Sequence, residues 1–229
     1  MGGVFFRRRQ APKAEVINDR NGDIANLFRI LQRHYPQFMD TLKFQITSRR
    51  EVERLEACDP TTLTDLERAA RFLYLQRLAG KARGQNFGVS YERGARFDLT
   101  TLGPMLEEVH ERLAGVTIEN LDWLDFIDRY DRPGTLFYLD PPYWGCEDDC
   151  GKLLFDRTQF AAIAERLARI KGSFIMSIND VPEIRELFGR YDLTEVALNY
   201  TIGSGKGLLA RELILRGPHR SPPLGCNVL

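Results

Sequence analysis

The chain has 229 residues, 43% of them hydrophobic, which is enough for a sizeable core as one domain with an insertion or as two lobes. Its 32 Lys and Arg residues balance 32 Asp and Glu residues, so any affinity for nucleic acid must come from a local basic patch. No apolar run is long enough to span a bilayer, and the first residues do not resemble a signal peptide, which predicts a cytoplasmic protein.

The amino-terminal part predicts a glycine turn followed by strand and helix. Gly2 and Gly3 end a turn that runs into a helix, a short strand covers 14–17, and a helix covers 24–35. Asp19 follows this strand. An acidic residue past the second strand of a nucleotide-binding sheet commonly holds ribose hydroxyls, while the alternative is that Asp19 caps the helix beginning near residue 23.

The middle of the chain breaks the strand–helix alternation with helices predicted at 50–57, 63–78 and 102–113. Residues 68–97 hold seven basic residues and one acid, a local charge of +6. Basic groups can bind phosphates and amides can read base edges, which makes this segment a candidate DNA surface; the alternative is a solvated basic face. The candidate DNA-binding residues are Arg77, Lys81, Arg83, Gln85, Asn86 and Arg93. Phe72 and Tyr74 are predicted to be core.

The alternation resumes after residue 113. Strands are predicted at 115–118, 136–139 and 173–178, helices at 160–170 and 184–188, and an antiparallel strand pair at 193–198 and 211–215. Asp122 stands closest to the end of the first of these strands, with Trp123 as a possible stacking face. A helix cap and a core aromatic are the alternatives for these two residues. The glycine-rich loop 201–209 lacks the residues of a phosphate-binding P-loop.

The four cysteines, Cys58, Cys146, Cys150 and Cys226, are scattered, which predicts reduced thiols. Cys146 and Cys150 lie beside acidic residues, but no second Cys or His pair is near them. We therefore expect no metal site.

The most informative stretch is Leu136–Tyr143. Its apolar residues lack the alternation of a half-exposed strand, which predicts a central strand covered on both faces. Pro141 and Pro142 cannot continue the sheet, so Asp140 must lie at the carboxyl end of the strand. In open α/β sheets ligands bind at this end.

The last four residues of this stretch, Asp140–Tyr143, form a tetrad whose polar groups suit the exocyclic amine of adenine. This amine is a poor nucleophile because its lone pair is delocalised. Asp140 could accept one N–H, and the Pro141 carbonyl, held by Pro142, could accept the other. Tyr143 could stack on an extruded base, an interaction worth about 1–3 kcal/mol that offsets the cost of base flipping. The nitrogen could then attack the methyl group of a sulfonium donor. The alternative is a strand that ends in a Pro-Pro turn with a solvent-facing Asp.

The ordered motifs resemble those of the Dam-type DNA adenine-N6 methyltransferases. The matching pieces are Val16–Asp19, Arg71–Leu75, Asp122-Trp123, Asp140–Tyr143, Ser177–Asp180 and Glu212–Leu215. The resemblance implies an α/β fold with a Rossmann-like S-adenosylmethionine-dependent methyltransferase sheet and a mainly helical target-recognition insertion. It divides the chain into an incomplete amino-terminal part (1–48), the insertion (49–112), the catalytic part (113–217) and a disordered tail (218–229).

The resemblance also implies functional residues, a cofactor and a partner. The cofactor, S-adenosyl-L-methionine, would be held by Gly2, Gly3, Asp19, Asp122, Trp123 and Asp140, and Asp140–Tyr143 would be catalytic. Asp125-Phe126 is a second candidate for the family's Asp-Phe pair. The partner would be double-stranded DNA, bound by a monomer without a membrane.

One departure from the family affects the expected activity. Members begin with a lysine-bearing segment and a strand ending Glu-Pro-Phe, whereas this sequence starts inside the glycine turn that follows. We therefore expect either a start further upstream or a truncated, catalytically inactive DNA-binding remnant. Cytosine-N4 enzymes usually carry Ser where Asp140 stands, and RNA adenine enzymes more often carry Asn.

Overall fold

The computed structural model describes residues 2–8, 10–78, 97–147, 155–200 and 208–217. The chain forms two compact units, Met1–Asp122 and Trp123–Leu229. Most of the glycine-rich loop 201–209 and all of the predicted tail 218–229 lie outside the described residues. Among the helices described, none has the length and apolarity that a membrane crossing requires.

The first unit combines a parallel strand pair with helices. Its elements are α1 (Gly3–Arg7), β1 (Val16–Asn18), α2 (Gly22–Arg33), α3 (Tyr35–Leu42), α4 (Arg49–Ala57), α5 (Asp65–Leu78), α6 (Leu99–Leu113) and β2 (Thr117–Glu119), with a short 3-10 helix at Pro60–Thr62. β1 and β2 run parallel, with Ile17 opposite Ile118. The predicted helices are confirmed within three residues, while the first strand lies further along the chain than predicted.

Helices α2, α4 and α6 of the first unit begin at polar caps, and the helices of this unit share one core. Ser48 accepts the Glu51 N–H to start α4, and Asp98 accepts the Thr100 N–H to start α6. Phe72 and Tyr74 are buried, as predicted. The Tyr74 hydroxyl satisfies its buried end by donating to the carbonyl of Ile46 at 2.7 Å.

The second unit is a mixed sheet with helices. Its elements are α7 (Trp123–Tyr130), β3 (Leu136–Leu139), α8 (Thr158–Ala168), β4 (Ser173–Asn179), α9 (Pro182–Phe188), β5 (Asp192–Tyr200) and β6 (Leu208–Gly217). The strand order is β3-β4-β6-β5. β3 and β4 are parallel, and the predicted antiparallel pairing of the last two strands is confirmed. Both units together confirm the mixed α/β class.

The two faces of this sheet differ in character. Alternate residues of β3, β4 and β6 point into a core that α7, α8 and α9 complete. The fully buried strand residues of this core are Phe174, Met176, Ile178, Leu213 and Leu215. Polar groups instead appear on the opposite face, where Ser177 and Glu212 lie.

The prediction that β3 is covered on both faces is wrong. Phe137 is buried, but Leu136 is 58% and Tyr138 is 42% exposed. Among the described residues β3 pairs with β4 alone, so it is an edge strand here. A four-residue apolar run cannot by itself distinguish a central strand from an edge strand.

The amino ends of β3 and β4 are joined by a buried carboxylate. Asp131 accepts the Lys171 and Gly172 N–H groups at 2.9 Å each and a guanidinium N–H of Arg166 at 3.0 Å. Gly172 is required here because a Cβ would lie 2.4 Å from the carbonyl oxygen of Thr135. Burial acts to raise the pKa of Asp131, but the hydrogen bonds from Gly172, Arg166 and Lys171 outweigh it and hold that pKa below the ordinary 3.8.

We expect Asp131→Asn to lower the free energy of unfolding by about 2 kcal/mol near neutral pH, because an amide N–H₂ would face other donors. The folded pKa lies below the unfolded value, so the stabilisation is present above about pH 4 and is lost as the pH falls through the folded pKa. Urea unfolding of both proteins over this pH range measures the difference.

The matched control is Asp128→Asn. Asp128 binds the same Arg166, but its side chain is 59% exposed, and exposed ion pairs contribute about 0–1 kcal/mol. An equal cost for both variants, or a cost of Asp131→Asn that does not fall at acid pH, would contradict this account.

Candidate active site

Asp140 lies where the chain leaves β3, and it is exposed. The Ser177 hydroxyl, from the neighbouring strand β4, donates to Asp140 Oδ1 at 3.0 Å. The Tyr138 hydroxyl lies 2.9 Å from Ser177 Oγ. Three polar groups connected by hydrogen bonds therefore lie toward the carboxyl ends of the parallel strands β3 and β4. In α/β sheets this is the edge at which ligands bind.

Tyr143 is anchored by a buried acid. Its hydroxyl donates to Oε1 of Glu212, which is only 6% exposed. Glu212 lies on β6, directly opposite Asn179 of β4. The hydroxyl end of Tyr143 is thus held by a side chain of β6.

Asn179 fixes the turn that follows the tetrad. Its Oδ1 accepts the Trp144 N–H at 2.8 Å, and its Nδ2 donates to the Trp144 carbonyl at 3.0 Å. The Cys146 N–H closes the turn onto the Tyr143 carbonyl at 2.8 Å, with Gly145 at a φ of 87° that favours glycine. The backbone after Pro142 is therefore held by a side chain of β4.

Tyr138 keeps its proton at neutral pH. Burial raises the pKa of its hydroxyl. The hydrogen bond with Ser177 opposes this rise, and the negative charges of Asp140 and Glu212 add to it. The hydroxyl is therefore available as a donor.

A second cluster lies at the carboxyl ends of β1 and β2 in the first unit. Asp19 follows β1, and its Oδ1 accepts the Asn21 N–H at 2.8 Å. Asn21, not Asp19, caps α2 by accepting the Asp23 N–H, so the capping alternative for Asp19 is wrong. Burial raises the pKa of Asp19, opposed by the Asn21 hydrogen bond.

Two asparagines shape this edge. Asn18 exchanges two hydrogen bonds with the backbone of Leu121, at 2.8 and 3.1 Å. Asn120 donates to the carbonyls of Asp19 and Arg20 at 2.7 and 3.1 Å. Asp122 follows Leu121 directly, so the structure brings the segments of Asp19 and Asp122 to the same edge.

Gly2 adopts the left-handed conformation at a φ of 60° before α1, as the predicted glycine turn into a helix requires. A Cβ on Gly2 would lie 2.8 Å from the Phe6 ring and 3.9 Å from Ile17 of β1. Gly3 is the first residue of α1 and has open space where its Cβ would be. Gly2 therefore lies beside the strand that leads to Asp19.

The remaining predicted site residues either lie outside both clusters or outside the described residues. Trp123 begins α7, packs partly against the core of the second unit and donates its indole N–H to Gln159 at 3.0 Å. Arg77 is half-buried in the last turn of α5. Lys81, Arg83, Gln85, Asn86 and Arg93 lie outside the described residues.

The sequence was compared with models of known protein families. The model of the D12 class N6 adenine-specific DNA methyltransferase matches residues 2–202, which includes Asp19, Asp140 and Ser177 but not Glu212. The chain belongs to this family. A search of the curated proteins finds no match.

For this D12-class chain, the Dam-type resemblance inferred from the motifs is confirmed at the level of the family. The residues whose roles sequence reasoning missed are the ones that support the tetrad and the first edge: Asn18, Asn120, Ser177, Asn179 and Glu212. Each is a polar residue within or just after a strand, and this is the signal that could have identified them.

We expect Asn179→Ala in this D12-class protein to lower the free energy of unfolding by about 1–3 kcal/mol, because the N–H and C=O of Trp144 both lose their partner. Chemical denaturation measures this cost. Gln159→Ala, which removes one hydrogen bond with Trp123, serves as the control and should cost about 1 kcal/mol or less. Equal costs for both variants would show that Asn179 does not hold the turn.

Proposed function

We propose that the chain is a site-specific DNA methyltransferase that moves a methyl group from S-adenosyl-L-methionine to the N6 amino group of adenine in double-stranded DNA. In this proposal the strands belong to a Rossmann-like methyltransferase fold that carries a target-recognition insertion. One observation carries this proposal. Asp140 is an exposed carboxylate at the end of a strand, with Oδ1 held by Ser177 and Oδ2 accepting from no residue that the structure describes.

Asp140 binds and orients the target amine. Its Oδ2 accepts one N–H of the adenine amino group, and the Pro141 carbonyl accepts the other, which localises the nitrogen lone pair for attack. N6 loses one proton when it gains the methyl group, and Asp140 accepts that proton. Tyr143, held through its hydroxyl by Glu212, supplies the flat surface on which the extruded base stacks.

The residues of the first edge fit a nucleoside cofactor. Ribose hydroxyls are donors, and Oδ2 of Asp19 accepts from none of the described residues. Asp122 lies at the same edge, and Gly2 lies beside the strand that leads to Asp19. The family resemblance adds Gly3 and Trp123 as candidates for cofactor binding. When bound, the cofactor supplies a sulfonium methyl group; Asp19 and its neighbours hold and orient it.

DNA contact is assigned to the basic segment that starts in the last turn of α5. Arg77 begins this segment, and Lys81, Arg83, Gln85, Asn86 and Arg93 continue it in the sequence. Cationic groups bind phosphates and give a salt-dependent affinity, while amides read base edges.

The test uses the purified protein, cofactor labelled at the methyl group, and adenine-rich duplex DNA. We expect label on adenine N6. Label on cytosine, or on RNA alone, would contradict the proposal. DNA binding without cofactor binding or transfer would instead support the inactive DNA-binding remnant, and calorimetric titration of the cofactor separates these two cases.

We expect Asp140→Ala to lower the transfer rate by at least about a hundredfold, because the amine loses its charged acceptor. The fold should remain, since Asp140 is exposed and its hydrogen bond is at the edge of the sheet. Asp128→Ala removes another exposed carboxylate of the same unit and should leave the rate unchanged. Retained turnover in Asp140→Ala would remove this residue from the mechanism.

We expect the double variant of Lys81 and Arg83 to Ala to weaken DNA binding and to reduce the slope of log affinity against log salt by about two. The control replaces Arg169 and Lys171, two exposed basic residues near the amino end of β4. Binding isotherms at several salt concentrations measure both slopes. A slope that changes only in the control would move the DNA interface to the second unit.

A further inference from the structure

Ser177 is a buried polar residue in β4, the strand that supplies Phe174, Met176 and Ile178 to the core. It is only 7% exposed, and its neighbours Met176 and Ile178 are fully buried. Its hydroxyl lies 2.9 Å from the Tyr138 hydroxyl of β3 and 3.0 Å from Oδ1 of Asp140, the residue that follows β3. A buried hydroxyl needs hydrogen-bond partners, and here Tyr138 and Asp140 are those partners.

The direction of these two hydrogen bonds follows from the chemistry of the groups. An ionised carboxylate only accepts, so the single proton of Ser177 is donated to Asp140. Ser177 Oγ can then only accept from Tyr138, which donates its own proton. The result is one continuous chain of donation, from Tyr138 to Ser177 to Asp140.

We propose that Ser177 and Tyr138 are positioning residues that hold the Asp140 carboxylate in a single orientation, with Oδ2 directed at the target amine. This inference rests on the proposed function. Asp140 is exposed, and its carboxylate would otherwise rotate among several orientations. Hydrogen bonding of Oδ1 removes this freedom before the base arrives, and such preorganisation acts on the chemical step rather than on binding.

Two conservative variants interrupt this chain of hydrogen bonds without changing the shape of the site. Tyr138→Phe deletes only the terminal hydroxyl from a side chain that is 42% exposed. Ser177→Ala deletes only the central hydroxyl. We expect each to lower kcat about tenfold, with KM for DNA and for the cofactor changed by no more than about twofold.

The double variant separates positioning from general weakening of the fold. Once Ser177 is Ala, the hydroxyl of Tyr138 has no route to Asp140. Tyr138→Phe should therefore cost nothing further in the Ser177→Ala background. Ser177→Thr, which keeps a hydroxyl at the same position, should retain most of kcat.

Matched controls come from the same unit. Ser173→Ala makes the same change near the start of β4, and Tyr191→Phe removes a hydroxyl that lies 3.4 Å from the Ala164 carbonyl. Neither should change kcat. Additive losses in the double variant, loss through KM alone, or equal losses in the controls would overturn the proposal.

A second readout does not depend on turnover. In protein carrying ¹³C-labelled aspartate carboxyls, the Asp140 signal, assigned by its absence in Asp140→Ala, should shift in Tyr138→Phe and in Ser177→Ala but not in Tyr191→Phe. An unshifted signal would overturn the positioning chain even in an active enzyme. If the wild type transfers no methyl group to adenine, the proposed function fails. The carboxyl signal still decides whether the hydrogen bonds from Tyr138 through Ser177 to Asp140 exist.

Discussion

Pro141 and Pro142 have no N–H to give to a neighbouring strand, and this constraint organises the second unit. The backbone must leave the sheet directly after Asp140, so the carboxylate lies at the strand's end and not within the ladder. A segment that leaves a sheet needs other partners. Ser177, Asn179 and Glu212 provide them from β4 and β6, because the antiparallel register places Asn179 opposite Glu212.

The features that could be predicted from the sequence are those encoded locally. Proline chemistry located Asp140 at a strand end, helical periodicity located α4 and α5, and the order of short motifs gave the family. The supporting contacts of the tetrad were not predictable in this way. Ser177 lies 37 residues from Asp140, and Glu212 lies 69 residues from Tyr143.

Two local predictions failed for reasons that are also physical. Asn21 competes with Asp19 for the start of α2 and lies one residue before the helix, where a cap must lie. The apolar run of β3 indicated burial, but burial depends on which elements lie beside a strand. That information is absent from four residues, so the exposure of Leu136 and Tyr138 could be learned only from the fold.

The outer edge of β3 has no strand beside it within the described part of the chain. Unpaired N–H and C=O groups along such an edge attract other extended segments, and the apolar side chains of Leu136 and Tyr138 add to this attraction. An extended segment that paired there would run alongside the residues leading to Asp140 and would alter access to its carboxylate. Pairing along this edge and access to the Asp140 carboxylate are therefore coupled through a single stretch of backbone.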